Sequence, residues 1–330
     1  MKQPENPEVS GWKYMDVKRY QEGICFQRKA GIFFFCGRNT VRREKEGRSG
    51  NIYRAVRKRA AESKNTEKDI RKGYQGEKNM TLEQFFQQTP AAAVAFSGGT
   101  DSAFLLWAAK NSGCNVCAYY IKTVFQPAFE LEDARRLAEE LSVPMKVIEA
   151  DILSCPEAAA NGPERCYYCK RTLFTLLRRA AEKDGHTILL DGTNASDQAE
   201  DRPGMKALRE LEVRSPLREC GITKEEVRRL SEEAGLFTWD KPAYACLATR
   251  VPTGMAITQE DLKRVEQAES RLSEMGFQDF RVRLLGDGAR IQITAEQMHK
   301  ALERREEITA ALKPLFSAVM LDLEARSASR

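Results

Sequence analysis

The chain has 330 residues with 53 Lys/Arg, 48 Asp/Glu, two His and nine Cys, long enough for two or three domains and a sizeable core. It shows no run of eighteen apolar residues and no signal-peptide pattern, which points to a soluble cytoplasmic protein with no membrane partner. Two histidines (His186 and His299) cannot supply a His-rich metal site, and nine cysteines without secretion indicate thiol or metal chemistry rather than a disulfide scaffold.

The charge is unevenly spread. Residues 1–80 carry 20 Lys/Arg against 10 Asp/Glu, and the remaining 250 carry 33 against 38. Within residues 1–79 the one apolar patch is Gly31–Cys36, too little to form a core, so this segment reads as an unstructured basic extension that the enzyme does not need. Met80 stands just ahead of Thr81-Leu-Glu-Gln-Phe-Phe86, where the functional chain is expected to begin. The mildly acidic body argues against a large nucleic-acid surface.

From Ala91 onward, strands alternate with helices, which predicts an α/β fold: a parallel sheet with helices on both faces. Strands are expected near 93–96, 116–121, 145–150 and 187–191, with a fifth near 211–214; helices are expected over 103–110 and 131–141. The first strand runs into Ser97-Gly98-Gly99-Thr100-Asp101-Ser102, and a helix follows. Such a turn directs free backbone N–H groups and the positive end of the helix at one point, so it can cradle an anion. Glycines allow close approach, and the hydroxyls of Ser97, Thr100 and Ser102 can donate to phosphate oxygens. No Walker lysine follows and the dinucleotide glycine pattern is absent. Asp191, Thr193 and Asn194, after the fourth strand, can line a nucleotide crevice or form a plain turn. Thr223–Glu226 is a capping box that opens a further helix, and its role reads as structural.

After Thr258 an α-β-β-α-β unit is expected: a helix over 260–275, strands at 280–285 and 289–293 around Gly286-Asp287-Gly288, a helix over 295–312 and a strand near 318–323. The expected domains are therefore 80–255 and 256–330.

Cys166 and Cys169 stand at a helix start, where the helix dipole, Arg165 and Lys170 all lower thiol pKa; both are expected as thiolates. A lone pair of this spacing is compatible with redox chemistry, half a zinc site or neither. Cys246 lies in an irregular Pro- and Gly-containing loop. Cys114 and Cys117 read as packing cysteines, Cys155 and Cys220 have no partner in sequence, and Cys25 and Cys36 fall in the basic extension.

Ser-Gly-Gly-x-Asp-Ser after a buried strand resembles the PP-loop of the ATP pyrophosphatases, which adenylate substrates with release of pyrophosphate. That loop occurs together with Arg165-Cys-Tyr-Tyr-Cys-Lys170, Asp191-Gly-Thr-Asn, Arg202-Pro-Gly, Arg214-Ser-Pro-Leu, Lys241-Pro, Cys246-Leu-Ala-Thr-Arg250, Arg281-Val-Arg283 and Ala289-Arg-Ile. In this order they resemble the LarE family of ATP-dependent sulfur transferases, which mature the nickel-pincer nucleotide of lactate racemase. The resemblance implies ATP and Mg²⁺ as cofactors, held by Ser97–Ser102 with Asp101 organising the metal and Asp191 and Asn194 at the nucleotide. It implies a pyridinium mononucleotide substrate whose phosphate meets Arg281 and Arg283, with Arg250 and Arg202 as weaker candidates. It further implies a homo-oligomer. Cys246 is the sulfur donor in sacrificial members; in others, three cysteines at the positions of Cys166, Cys169 and Cys246 hold a [4Fe–4S] cluster. Three thiolates hold three irons of a cubane and leave the fourth open for a transferable sulfide, whereas zinc wants a fourth protein ligand, and none is obvious. A tRNA thiolase and a non-catalytic nucleotide sensor are the rival readings.

Overall fold

The structure, a computed structural model, describes residues 25–29, 32–36, 80–197 and 203–327. The chain divides into two units, Met1–Glu62 and Ser63–Arg330. In the first unit, strands β1 (Cys25–Lys29) and β2 (Ile32–Cys36) form an antiparallel ladder pairing Cys25 with Cys36. This stretch of the basic segment therefore carries regular structure where the sequence leads one to expect none.

Among the described residues, the first element of the second unit is α1 (Leu82–Gln87), which is opened by a Thr81–Gln84 capping box. A four-stranded parallel sheet follows, with order β5-β4-β3-β6, built from β3 (Ala91–Ala95), β4 (Asn115–Lys122), β5 (Met145–Glu149) and β6 (Leu189–Leu190). Because side chains alternate along a strand, the two faces feed separate cores. Ala93, Cys117, Tyr119 and Ile121 join one apolar cluster, and Ala92, Val94, Val116, Ala118 and Tyr120 join the other. Helices α2 (Thr100–Asn111) and α3 (Ala128–Glu140) cover the second face. The short α4 (Pro156–Ala159) and long α5 (Arg165–Lys183), the latter through Leu173, Leu177 and Ala181, cover the first. Cys117 and Cys114 are buried within these layers, as packing cysteines should be.

The expected strand near 211–214 contracts to a single parallel bridge between Leu190 and Arg214. Glu212 takes a left-handed φ of 49° and Pro216 already opens the next helix, so no run of extended residues can form. Helix α6 (Pro203–Glu210) packs on α5 through Met205 and Leu208 against Phe174, α7 (Pro216–Glu219) and α8 (Lys224–Glu233) join the cluster on the second face, and the Thr223–Glu226 capping box is present at the head of α8.

Beyond these, α9 (Gln259–Glu274) precedes the hairpin of β7 (Arg281–Leu285) and β8 (Gly288–Gln292). The helices α10 (Met298–Glu303) and α11 (Arg305–Leu312) then lead to β9 (Val319–Leu321), which is parallel to β8. The single helix expected over 295–312 breaks at Arg304, whose backbone leaves helical geometry while its guanidinium donates to the Met275 carbonyl at 2.6 Å. Val265, Val282 and Ile291 share one apolar cluster with Tyr119, Leu173 and Leu247. The boundary expected near residue 255 thus falls within continuous packing. No described helix is long and apolar enough to cross a membrane.

Candidate active site

At the carboxyl end of β3 the chain turns through Ser97 and Gly98 into Gly99, the N-cap of α2. Gly98 has φ +71°, and a Cβ there would stand 3.0 Å from the Glu130 carbonyl oxygen, so glycine is required on both counts. The Ser97 and Ser102 hydroxyls lie 3.1 Å apart, and the Ser102 hydroxyl also donates to the Gly99 carbonyl at 3.2 Å, which fixes the loop from inside. Thr100 departs from expectation: its hydroxyl donates to the Thr238 carbonyl at 2.8 Å and the residue is 5 % exposed. It therefore braces α2 against the 238 loop and is not offered to a phosphate.

The segment leaving β6 packs against the same helix start. A Cβ on Gly192 would meet the Ser102 amide nitrogen at 2.8 Å, so only glycine permits this approach. Asp191 is buried with both oxygens occupied, by Thr193 Oγ1 at 2.5 Å and Ser215 Oγ at 2.6 Å. It ties two loops together beside the crevice. Asn194 donates to Asp101 Oδ1 at 3.2 Å, and Lys224 Nζ lies 2.6 Å from Asp101 Oδ2. Lys241 secures the other side, donating to Asp133 at 2.6 Å and to the Gly98 carbonyl at 3.4 Å. Ser97, Gly99, Asp101, Ser102 and Asp191 line a cavity of about 540 Å³, which Cys166 and Lys170 from the first turns of α5 also line.

Behind Cys166 the other cysteine segments come together, with Cys166, Cys246 and Cys155 all near Cys169. Arg165 joins them: one Nη1 donates to Asn161 Oδ1 (2.7 Å) and to the Ala248 carbonyl (3.0 Å), while Nη2 approaches Cys166 Sγ at 3.6 Å. Cys169 is held up at about 12 by burial and next by the neighbouring charges of Cys246 and Cys166; burial also raises Cys246, against the pull of Arg165. This corrects the expectation of a thiolate at Cys169, because desolvation there outweighs the helix dipole and the nearby guanidinium. Cys155, isolated in sequence, is a further neighbour whose charge raises Cys169.

The arginines also sort differently from expectation. Arg250 has a fully buried side chain that pairs with Glu269 through Nε (2.8 Å) and Nη2 (3.1 Å), and its Nη1 donates to the Ala245 carbonyl (2.9 Å) and to Thr249 Oγ1 (2.8 Å). Having no exposed surface, it holds the Cys246 loop in place and is not available to a substrate phosphate. Arg281, 5 % exposed, donates to the carbonyls of Phe280 and Ala243, each at 2.6 Å, and burial, then Arg250 and Arg326, lowers it to about 10. It too is committed to that loop. Arg283 donates to Gln292 Oε1 and the Thr249 carbonyl, each at 2.6 Å, and among the described residues its Nη2 carries no hydrogen bond. Burial lowers its pKa, followed by the charges of Arg250, Arg290 and Arg326. Arg202 lies outside the described residues.

A family model described as queuosine biosynthesis protein QueC matches residues 91–160, the stretch containing the phosphate loop. An uncharacterized protein of Synechocystis sp. is 38% identical over 226 residues, spanning 67% of this chain and 83% of its own. The pyridinium-3,5-bisthiocarboxylic acid mononucleotide synthase of Lactiplantibacillus plantarum is 33% identical over 249 residues, 74% of this chain and 90% of its own. The chain belongs to the LarE family. By contrast, a tRNA-specific 2-thiouridylase MnmA of Clostridium botulinum is 25% identical over 181 residues and spans 45% of this chain and 51% of its own. As a LarE-family protein it is an ATP-dependent sulfur transferase on the PP-loop fold, and the small sheet β7-β8-β9 places Arg281 and Arg283 against the Cys246 loop.

The capping box at Thr223 is legible in the sequence, but that it delivers Lys224 to Asp101 is not, since 123 residues separate the two. The Arg250–Glu269 pair is likewise invisible in sequence, because Glu269 reads as one charged residue of an amphipathic helix.

Proposed function

We propose that this protein adenylates a ring carboxylate of a pyridinium biscarboxylate mononucleotide and replaces the activated oxygen with sulfur, as a step in nickel-pincer nucleotide synthesis. The observation carrying this reading is the shared cavity: Ser97, Asp101, Ser102 and Cys166 line one space, in which activation and sulfur delivery can meet.

In the first step a carboxylate oxygen attacks the α-phosphorus of ATP. The bond to the α,β-bridging oxygen breaks and pyrophosphate departs with the electron pair. The amides of the loop and the head of α2 receive phosphate charge. Mg²⁺ is held by one or two carboxylates together with the phosphates themselves, a demand that Asp101 meets. Arg283 is the guanidinium for the mononucleotide phosphate: its Nη2 carries no hydrogen bond among the described residues, and the charges of Arg250, Arg290 and Arg326 bear on it, so that an anion beside it is favoured.

In the second step a sulfur nucleophile attacks the acyl-adenylate and AMP leaves. Cys166, Cys169 and Cys246 would hold a [4Fe–4S] cluster, which supplies an open iron for a transferable sulfide. The chemistry of the set fits that group: the buried thiols of Cys169 and Cys246, raised in pKa, ionise when iron takes the place of the proton. No three described His, Cys, Asp or Glu residues are arranged around a single ion, but a cubane asks each thiolate to reach a different iron. The sacrificial alternative uses Cys246 directly. Its thiolate gives a thioester, and loss of the Cys246 α-proton to a base with cleavage of the Cβ–S bond leaves the thiocarboxylate and dehydroalanine. The active enzyme is proposed to be a homo-oligomer, with residues 1–79 dispensable and 256–330 serving as the substrate-binding part.

Anaerobic purification with iron and sulfide analysis, with and without Cys166→Ala, tests the sulfur source. Iron in the wild type that is lost in the variant supports the cluster; absence of iron from both returns the role to Cys246.

A further inference from the structure

The contact between Lys224 and Asp101 has a geometry that stability does not explain. Thr223 Oγ1 accepts from the Glu226 amide at 3.3 Å, and Glu226 accepts in return from the Thr223 amide at 2.9 Å, so residue 224 begins α8. Its own amide donates to Ser196 Oγ at 2.9 Å in the loop that leaves β6. From this anchored backbone the side chain crosses to the head of α2, where Nζ stands 2.6 Å from Asp101 Oδ2. Asp101 lines the nucleotide cavity and both side chains are about one-quarter exposed; ion pairs that solvent reaches contribute little to stability.

Asp101 Oδ1 is already engaged by Asn194 at 3.2 Å. A divalent cation that takes Oδ2 meets the ammonium at close range and repels it. The lysine stem is flexible and its ammonium is a compact point charge, so once displaced it finds the nearest anion, the polyphosphate whose metal displaced it.

We propose that Lys224 is a mobile counter-ion: it neutralises Asp101 while the site is free of nucleotide, and moves to the β- and γ-phosphates when the nucleotide's Mg²⁺ takes Asp101 Oδ2. This deepens the ATP-activating reading above and rests on it. As the α-phosphorus to bridging-oxygen bond breaks, the electron pair stays with pyrophosphate, so negative charge grows where the ammonium arrives. No proton need be transferred. The contact is stronger in the transition state than with bound ATP, and it favours catalysis rather than ground-state binding.

The test compares full-length wild type with Lys224→Met and Lys224→Gln. Mn²⁺ binding to the nucleotide-free protein is followed by electron paramagnetic resonance, and inorganic pyrophosphate binding in Mg²⁺ by calorimetry. Both variants are expected to bind Mn²⁺ about tenfold more tightly and pyrophosphate about tenfold more weakly than wild type, each shift corresponding to about 1.4 kcal/mol. Adenylation kcat is expected to fall further than KM for ATP rises. Unchanged Mn²⁺ or pyrophosphate affinity overturns the proposal, as does unfolding of both variants by circular dichroism, which would make the pair a structural strut. Wild type that binds neither MgATP nor pyrophosphate would instead overturn the activation reading.

Discussion

The phosphate loop and the cysteine wall, which meet where Cys166 lines the loop's cavity, are built in opposite ways. Ser97–Ser102 is contiguous, and its hydroxyls and amides bond to one another within five residues. The cysteine wall is assembled from the start of α5 and the 243–250 loop, held together by Arg165, Arg250, Arg281 and Arg283 donating to backbone carbonyls. A contiguous loop keeps its shape through local bonds, whereas an assembled wall depends on buried charges that come from a distance.

That contrast predicts that the wall is the more fragile of the two. Arg250→Met strands the Glu269 carboxylate, 6 % exposed, beside an apolar side chain. Removing one partner of a buried pair is expected to cost about 3–5 kcal/mol, measured by chemical denaturation. A loss well below 1 kcal/mol would show that the wall does not depend on this pair.

Gly98→Ala acts on the loop. The left-handed φ and the 3.0 Å approach of the Glu130 carbonyl force the loop to shift. Carboxylate-dependent pyrophosphate release is expected to fall about a hundredfold, roughly 2.7 kcal/mol of lost transition-state stabilisation, while global stability changes little by comparison.

The smallest expected effect concerns Glu130, beneath the loop. Burial pushes its carboxyl up to about 7, with Lys241 and Arg250 opposing and Asp133 reinforcing. A carboxyl with a raised folded pKa binds its proton more tightly in the native state. Its contribution is thus fully present below about pH 4.5 and is lost as pH rises through 7. Glu130→Gln is expected to stabilise the protein at pH 8 by on the order of 2 kcal/mol and to have no such benefit at pH 4. A thermal-denaturation series across that range reads the difference, and a benefit independent of pH would assign it to packing instead.

The same contrast explains what the sequence reveals. The loop, the parallel strands and the Gly-Asp-Gly hairpin are legible because period, turn chemistry and burial are local properties. The fifth strand fails because a left-handed Glu212 and Pro216 interrupt a promising alternation of apolar and charged residues. Arg250 and Arg281 read as substrate ligands through the family resemblance, which shows that a guanidinium is present but not whether backbone carbonyls and a carboxylate have already engaged it. The thiols read as low-pKa groups because a helix start and flanking cations are visible in sequence, whereas the burial of Cys169 and Cys246 comes from segments far apart in the chain. Lys224 is hidden for the same reason.

The central claim is that activation and sulfur transfer are separate functions meeting in one cavity, and Cys246→Ala tests it most directly. Substrate-dependent pyrophosphate release and thiocarboxylate formation are measured on the same anaerobic preparation. The account predicts pyrophosphate release within about threefold of wild type, less than 1 kcal/mol, with no thiocarboxylate formed. Loss of both activities in a folded variant, or retention of thiocarboxylate formation, would contradict it.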